Sequence, residues 1–130
     1  MEKQVNIPSE LKYTREHEWI KVDGKTATVG ITDFAQGELG DIVFVELPKV
    51  GESVKYMKPF GTIEAVKAVS DMFSPVSGKV VAINAALESD PMVINRDPYQ
   101  EGWIIKIEFV DAKEIEQLLD ASSYKSIIIG

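Results

Sequence analysis

Alternating apolar and polar positions predict short β-strands over most of the chain. In residues 61–66 the two kinds of side chain alternate, which is the period of a strand that buries one face. The alternation ends at Lys67, and small or turn-forming residues follow as far as Asp71. A second apolar run begins at Met72. The pattern therefore predicts a β-hairpin that holds Lys67 at its tip.

A short internal repeat extends this prediction. Residues 61–67 align with residues 78–84, with glycine matching glycine at the start of each segment and apolar residues matching further on. Two such strand units related by a two-fold axis would pack as a small, flattened β-sandwich. We therefore expect four matched side chains to be buried together: Ile63, Ala65, Val80 and Ala82.

The other strands follow from the same reasoning. Extended runs bounded by turn signals occur at residues 17–22, 26–31, 41–47, 79–84 and 103–109. An Asp23-Gly24 pair between the first two of these runs predicts a tight hairpin. The apolar run at 41–47 is nearly continuous, which is typical of a strand with both faces partly covered.

Helical spacing is confined to short segments. Thr32 is a candidate N-cap, the apolar residues of 33–39 have helical spacing, and Gly40 can end the turn. Residues 112–119 and 121–126 are predicted to form a C-terminal helical segment. We expect residues 85–102 to be irregular, and the isoleucine-rich tail matches no element.

Composition limits the classes of function. A length of 130 residues predicts one domain, covering 1–130. No cysteine is present and His17 is the only histidine, which excludes disulfides, thiolate metal sites, multi-histidine metal sites and histidine-based triads. We expect no metal and no catalytic residue.

Charge and hydropathy bear on partners and location. The net charge of −7 argues against nucleic acid and anionic membrane as partners. No apolar run reaches the length of a membrane span. The first residues carry neither a signal-peptide core nor a transit pattern, so we expect a cytoplasmic protein.

The residues around Lys67 resemble the lipoylation site of the glycine cleavage system H protein family. Residues 64–68 read Glu-Ala-Val-Lys-Ala, where that family usually has Glu-Ser-Val-Lys-Ala, so Ala65 is a departure. Further motifs of the family occur in the same order at 13–19, 29–36, 39–51 and 95–103. The resemblance covers residues 11 to 126, although Phe34 stands where many members have histidine.

The resemblance implies a fold and a carrier function. The fold would be mainly β, a barrel-sandwich hybrid of the lipoyl-domain type. Lipoic acid would be joined to Lys67 as an amide, and the chain would shuttle the aminomethyl group of glycine without being an enzyme itself. The implied partners are a pyridoxal-phosphate glycine decarboxylase, an aminomethyltransferase that uses tetrahydrofolate, dihydrolipoyl dehydrogenase, and a lipoate ligase or a lipoyl/octanoyl transferase.

Three carboxylates are candidate supporting residues. Glu64 and Asp71 flank Lys67 in sequence. Their carboxylates either keep the hairpin solvated or take part in docking to a ligase or partner. Glu18 and Asp71 are the candidates to face the cationic loaded arm, by resemblance and charge. We expect both of them to border one cleft.

Three alternatives differ in what happens at Lys67. A relay that hands lipoate on to 2-oxoacid dehydrogenases would have the same sequence at this lysine. A biotin carrier is rejected because the expected Met-Lys-Met is absent. An acidic β-sandwich interaction module would leave the lysine unmodified.

Overall fold

Nine β-strands and five short helices lie within residues 5–129, the part of the chain that the structure, a computed structural model, describes. The strands are β1 Lys12–Tyr13, β2 Glu18–Asp23, β3 Thr26–Ile31, β4 Ile42–Glu46, β5 Ser53–Val54, β6 Pro59–Ala65, β7 Val69–Phe73, β8 Gly78–Ile83 and β9 Ile105–Phe109. The helices are α1 Asp33–Leu39, α2 Ala86–Ser89, α3 Val93–Arg96, α4 Lys113–Glu116 and α5 Ala121–Ile129.

The strands form two antiparallel sheets. The larger has the order β1-β2-β3-β9-β8-β5, and the smaller has the order β4-β6-β7. One apolar cluster contains buried residues from both sheets, including Ile20, Ile63, Val80 and Ile107. This arrangement confirms the prediction of a mainly β fold with a short helix at 33–39 and helical segments at the C-terminal end.

The internal repeat has a structural counterpart. Ile63 on β6 and Val80 on β8 are both buried in the shared core, as predicted, whereas the two matched alanines are only partly buried. The matched glycines are required for the same reason. A Cβ at Gly61 or at Gly78 would collide with a carbonyl oxygen of the neighbouring strand. Each glycine therefore lets an adjacent strand approach closely.

Strand β4 differs from its prediction. Its register against β6 shifts between Ile42 and Phe44, so that Ile42 pairs with Ala65 while Phe44 pairs with Glu64. A bulge of this kind sets two residues against one on the partner strand. Val43 and Phe44 are consequently both exposed. The outer face of this strand is therefore less covered than the predicted partial cover of both faces, because hydrophobic continuity does not reveal a bulge.

The helical parts also differ from expectation. Residues 85–102, predicted to be irregular, contain the one-turn helices α2 and α3. The helix predicted over 112–119 shrinks to α4, while the predicted turn at 121–126 extends to Ile129 as α5. α5 is anchored by Tyr124, which is fully buried and stacks on Tyr13 with ring centroids 4.7 Å apart.

A buried carboxyl connects the two sheets. Glu18, the first residue of β2, is only 1% exposed. The backbone N–H of Phe73 on β7 donates to its Oε2 at 3.0 Å, and the hydroxyl of Thr14 donates to its Oε1 at 2.5 Å. Burial raises the pKa of Glu18 to about 8, although these two hydrogen bonds act in the opposite direction. The carboxyl is therefore mostly protonated at neutral pH.

We predict that Ile63→Ala and Val80→Ala each lower the free energy of unfolding by about 2–5 kcal/mol, through lost burial and the cavity that remains. Urea unfolding measures the change. The matched control is Val81→Ala on the exposed side of β8, which should change stability by about 0.5 kcal/mol or less. Equal effects at positions 80 and 81 would contradict the assigned core.

Glu18 also predicts how stability depends on pH. Between its ordinary pKa of 4.5 and about 8, the folded protein keeps a proton that the unfolded chain has lost. The free energy of unfolding should therefore fall as pH rises, by up to about 1.4 kcal/mol per pH unit from this group. Burial lowers the pKa of His17. This makes the free energy of unfolding rise with pH, but only at pH values below the ordinary pKa of 6.5.

The test is urea unfolding of wild type and Glu18→Gln between pH 6.5 and pH 8. Glutamine is neutral throughout and keeps an oxygen that can accept from Phe73. We expect a flatter profile in this variant and an unchanged profile in Glu108→Gln, an exposed carboxylate on β9. Parallel profiles for wild type and Glu18→Gln would show that the buried carboxyl is already ionised.

Candidate functional site

The hairpin β6–β7 ends in a tight turn that presents Lys67. The N–H of Ala65 donates to the carbonyl of Ala68 at 2.8 Å, which closes the turn over residues 66–68. The sequence placed the turn over Lys67 to Asp71, but β7 already begins at Val69. Ser70 and Asp71 therefore lie in the strand, where the Ser70 hydroxyl donates to the carbonyl of Asp71 at 3.2 Å.

The backbone of the tip is fixed to a second part of the chain. The N–H of Val66 donates to the carbonyl of Asp41 at 2.9 Å, and the N–H of Lys67 donates to the carbonyl of Leu39 at 3.2 Å. Leu39 ends α1, and Asp41 directly precedes β4. The tip is thus held against the segment that joins this helix to this strand, and the main chain of the lysine has a defined position.

Gly40, between those two carbonyls, lies beneath the lysine stem. Its φ of 81° and ψ of −161° fall in a region that essentially only glycine occupies. A Cβ at this position would lie 3.4–3.5 Å from the Cγ, Cδ and Cε atoms of Lys67. Glycine is required here for its backbone conformation, and the lysine stem passes near it, at ordinary van der Waals distance from where a Cβ would lie.

The side chain of Lys67 is exposed. Within residues 5–129 its amine makes no hydrogen bond and no ion pair; the ion pair found there joins Arg96 and Asp90. The adjoining side chains Ala65 and Ala68 are small. A fixed main chain and an exposed side chain together make this a suitable point for attaching a group by an amide bond.

The three predicted carboxylates occupy different environments. Glu64 is exposed and lies in the middle strand of the small sheet, between Phe44 and Val69 in register. Asp71 is exposed on β7, in register with Thr62. Glu18 is the buried residue that connects the sheets.

Glu18 and Asp71 nevertheless border one cleft. This cleft has a volume of about 280 Å³. Its lining comprises Glu16, His17, Glu18, Ile31, Phe34, Ala35, Glu38, Leu39, Ile63, Ser70, Asp71 and Met72. Leu39 connects the cleft with the tip, because its carbonyl accepts the hydrogen bond from Lys67. The expectation that both carboxylates border one cleft therefore agrees with the geometry.

The open edge of β7 faces the β2 side of this cleft. In an antiparallel pair, only every second residue of a strand hydrogen-bonds to its partner strand. The hydrogen bond from Ala65 to Ala68 sets this alternation, so the backbone groups of Asp71 and Phe73 do not bond to β6 and point away from it. Phe73 uses its N–H to bond Glu18. The backbone of Asp71 is oriented in the same direction, so the cleft offers backbone polar groups as well as carboxyls.

His17 is a residue of the cleft that sequence reasoning misplaced. The sequence predicts a strand from residue 17, but His17 precedes β2, is partly buried and has a positive φ of 74°. Its Nδ1 lies 2.8 Å from the hydroxyl of Tyr124, and its ring is 5.0 Å from that of Phe34. The contact with Tyr124 spans most of the chain, so no local pattern could have revealed it.

A larger depression of about 1170 Å³ lies elsewhere and includes neither Lys67 nor any other residue of the hairpin. It is lined in part by Lys21, Trp103 and Lys106, and the Lys106 amine sits 5.1 Å from the Trp103 ring centroid. Trp103 is only partly buried. This depression does not contribute to the site around Lys67.

None of the described helices has the length and apolarity needed to cross a membrane; the longest is α5, with nine residues.

Comparisons with known proteins agree on one family. The family model for the glycine cleavage H-protein matches residues 11–129. The glycine cleavage system H protein of Halalkalibacterium halodurans is 54% identical over 95% of this chain and 96% of its own length. That of Bacteroides thetaiotaomicron is 54% identical over 97% of this chain and all of its own length.

Solved structures give the same result. The crystal structure of a glycine cleavage system H protein from Mycobacterium marinum superposes with a TM-score of 0.85 at 40% identity, covering 92% of this chain and 97% of that one. Sequence and fold therefore agree. The chain belongs to the glycine cleavage H-protein family.

Proposed function

We propose that Lys67 carries a lipoyl group, and that the chain is the carrier protein of the glycine cleavage system, not one of its enzymes. Family membership supports the carrier role. The observation that carries the choice of lysine is the tip itself, where two backbone hydrogen bonds fix the main chain while the side chain of Lys67 is exposed. The proposed carrier unit is a single domain of residues 1–130.

The surroundings of Lys67 fit a long acyl arm. A carrier needs its group on a flexible tether that projects from a rigid support. The exposed stem of the lysine passes near Gly40, and the nearby residues Ala65 and Ala68 have small side chains. When attached, the lipoyl group would supply a disulfide that accepts and releases the aminomethyl group, which is chemistry of the cofactor and not of this chain.

The proposed partners are the enzymes that load, unload and reoxidise the arm. These are the pyridoxal-phosphate glycine decarboxylase, the aminomethyltransferase and dihydrolipoyl dehydrogenase. A lipoate ligase or a lipoyl/octanoyl transferase would modify the lysine. We place these encounters in the cytoplasm.

The cleft beside the tip is the proposed shelter for the cationic cargo. A cleft can hold the loaded arm more tightly than the empty arm only if its groups interact differently with the two forms. Carboxylates do so, because the loaded arm carries a positive charge and the empty arm does not. The raised pKa of Glu18 means that its carboxyl is mostly neutral before the cargo arrives, and an adjacent cation favours the ionised form. Asp71 adds an exposed carboxylate at the mouth.

We predict that Lys67→Arg abolishes lipoylation and carrier activity and leaves the free energy of unfolding within about 0.5 kcal/mol of wild type. Arginine keeps the positive charge but offers no amine that a ligase can acylate. Intact mass and glycine-dependent turnover with the partner enzymes measure the effect. Lys79→Arg on β8, also exposed, should behave as wild type. Lipoylation that persists in Lys67→Arg would refute the site.

We predict that Glu18→Gln combined with Asp71→Asn shortens the lifetime of the loaded carrier while lipoylation proceeds normally. The physical reason is the loss of both groups that can become anionic beside the cargo. The measurement is the rate at which purified loaded protein releases ammonia or formaldehyde. Glu64→Gln is the control, because Glu64 is exposed near the same lysine but does not line the cleft. Equal release from wild type and the double variant would mean that the cleft does not shelter the cargo.

A further inference from the structure

A chain of hydrogen bonds runs from the start of α1 to the ring of His17. The N–H of Ala35 donates to the hydroxyl of Thr32, the N-cap of this helix, at 3.2 Å. The Thr32 hydroxyl lies 2.7 Å from the hydroxyl of Tyr124 on α5. The Tyr124 hydroxyl in turn lies 2.8 Å from Nδ1 of His17. A residue that lines the cleft is thus connected to both helices.

The burial of Thr32 fixes the direction of this chain. Thr32 is fully buried, and within residues 5–129 the hydroxyl of Tyr124 is the one acceptor for its hydroxyl hydrogen. If Tyr124 donated to Thr32 instead, that hydrogen would be left without a partner, which is costly in a protein interior. Thr32 therefore donates to Tyr124, and Tyr124 donates to Nδ1 of His17. A neutral His17 consequently carries its own proton on Nε2.

The Nε2–H group is the polar group that the ring has left to offer to the cleft. His17 lines the cleft of about 280 Å³ and is only partly buried. In the part of the chain that the structure describes, Nε2 makes no hydrogen bond, and no buried side-chain nitrogen or oxygen lacks a partner. Nε2 is therefore open to solvent. It is a donor that a ligand in the cleft can reach.

The ring of His17 is held in position before any ligand enters. The backbone of His17 has a φ of 74°, a left-handed conformation that is uncommon for residues other than glycine and is often found at functional sites. The N–H of Thr32 donates to the His17 carbonyl at 3.0 Å, which fixes this conformation to the residue before α1. The ring of Phe34 lies against the imidazole, with centroids 5.0 Å apart.

The other titratable side chains that line the cleft are all carboxyls. They are Glu16, Glu18, Glu38 and Asp71. Burial lowers the pKa of His17, and the charges of Glu16 and Glu38 act in the opposite direction. The imidazole is therefore mostly neutral at neutral pH. Carboxylates attract a cation but repel an electron-rich atom, so a neutral N–H donor adds a different kind of contact to this cleft.

We propose that His17 is a further binding residue for the arm, and that its Nε2–H donates to the sulfur that does not carry the cargo. This inference rests on the proposed function. When a disulfide accepts a group at one sulfur, the S–S bond breaks and its electron pair leaves on the other sulfur, which becomes a thiolate. A thiolate accepts a hydrogen bond much better than a disulfide sulfur does. The donor therefore binds the opened arm in preference to the closed one.

Tyr124 is the positioning residue of this arrangement. Its hydroxyl donates to Nδ1 of His17, so it orients the ring and keeps the proton on Nε2. Without this hydroxyl the proton is free to move to Nδ1, and Nε2 then becomes an acceptor. The arrangement gives α5 a part in the chemistry of the cleft, although it lies far from the hairpin in sequence.

The first test reads the position of the proton in the unmodified protein. His17 is the only histidine, so nitrogen NMR of the labelled chain shows a single imidazole. We expect the proton on Nε2 in wild type and a shift towards Nδ1 in Tyr124→Phe. Tyr13→Phe is the matched control, because its ring stacks on that of Tyr124 while its hydroxyl bonds the carbonyl of Pro8. A wild-type proton on Nδ1 would overturn the proposal.

The second test asks whether the imidazole senses the opened arm. Intact mass first establishes that the full-length protein carries a lipoyl group, and excess dithiothreitol then reduces the disulfide. We expect the Nε2 resonance to move on reduction in wild type. It should stay unchanged in Lys67→Arg, which has no arm and receives the same reductant.

The third test measures how much the contact favours the opened arm. The lipoylated proteins are equilibrated with a mixture of reduced and oxidised dithiothreitol, and the ratio of opened to closed arm is measured. We expect His17→Gly to lower this ratio by about threefold or more, the value of one lost hydrogen bond. Glycine adopts a positive φ without strain, so the backbone at this position is preserved. Tyr13→Phe should keep the wild-type ratio.

The outcomes separate the two proposals. A lipoylated wild type whose Nε2 resonance does not move on reduction would overturn the role of His17 and leave the carrier function intact. Wild type that never acquires a lipoyl group would contradict the carrier function, and the role of His17 with it. A resonance that moves only when the arm is present, with a lower ratio in His17→Gly, would support the inference.

Discussion

The structure around Lys67 depends on two backbone hydrogen bonds, from Val66 to Asp41 and from Lys67 to Leu39. A hairpin tip without such contacts would lose conformational freedom whenever a partner bound it. Here the segment between α1 and β4 fixes the tip in advance. Gly40 makes this possible, because only glycine readily adopts its backbone conformation, and that conformation directs two neighbouring carbonyls at the tip.

Glu18 combines a structural and a proposed functional role. Its carboxyl bonds Thr14 before β2 and Phe73 on β7, so it helps to hold the two sheets together at the cleft. An ordinary core would place an apolar side chain there, because burial of a carboxyl is costly. Sites that bind cargo are where such departures are expected. A protonated carboxyl that ionises beside a cation suits a carrier whose cargo changes charge with each cycle.

Local patterns in the sequence were sufficient for the hairpin but not for its surroundings. The alternation in 61–66 and the repeated glycines reflect which face of each strand is buried, and this is a property of neighbouring residues. The exposure of Phe44 depends on a bulge, and the position of α5 depends on Tyr124 meeting Tyr13 and His17. These contacts join distant parts of the chain. The burial of Glu18 has the same origin, so its carboxyl could be named from the resemblance but not placed.

The most direct test of the proposed carrier role is peptide mapping of wild-type protein from lipoate-replete cells that also produce a lipoate-attaching enzyme. Mass spectrometry of the digest shows which lysine carries the added group. The structure predicts a lipoyl mass shift on the peptide that contains Lys67 and on no other. An unmodified Lys67 peptide, or a lipoyl group on any other lysine, would contradict the assignment of this hairpin as the lipoyl-bearing site.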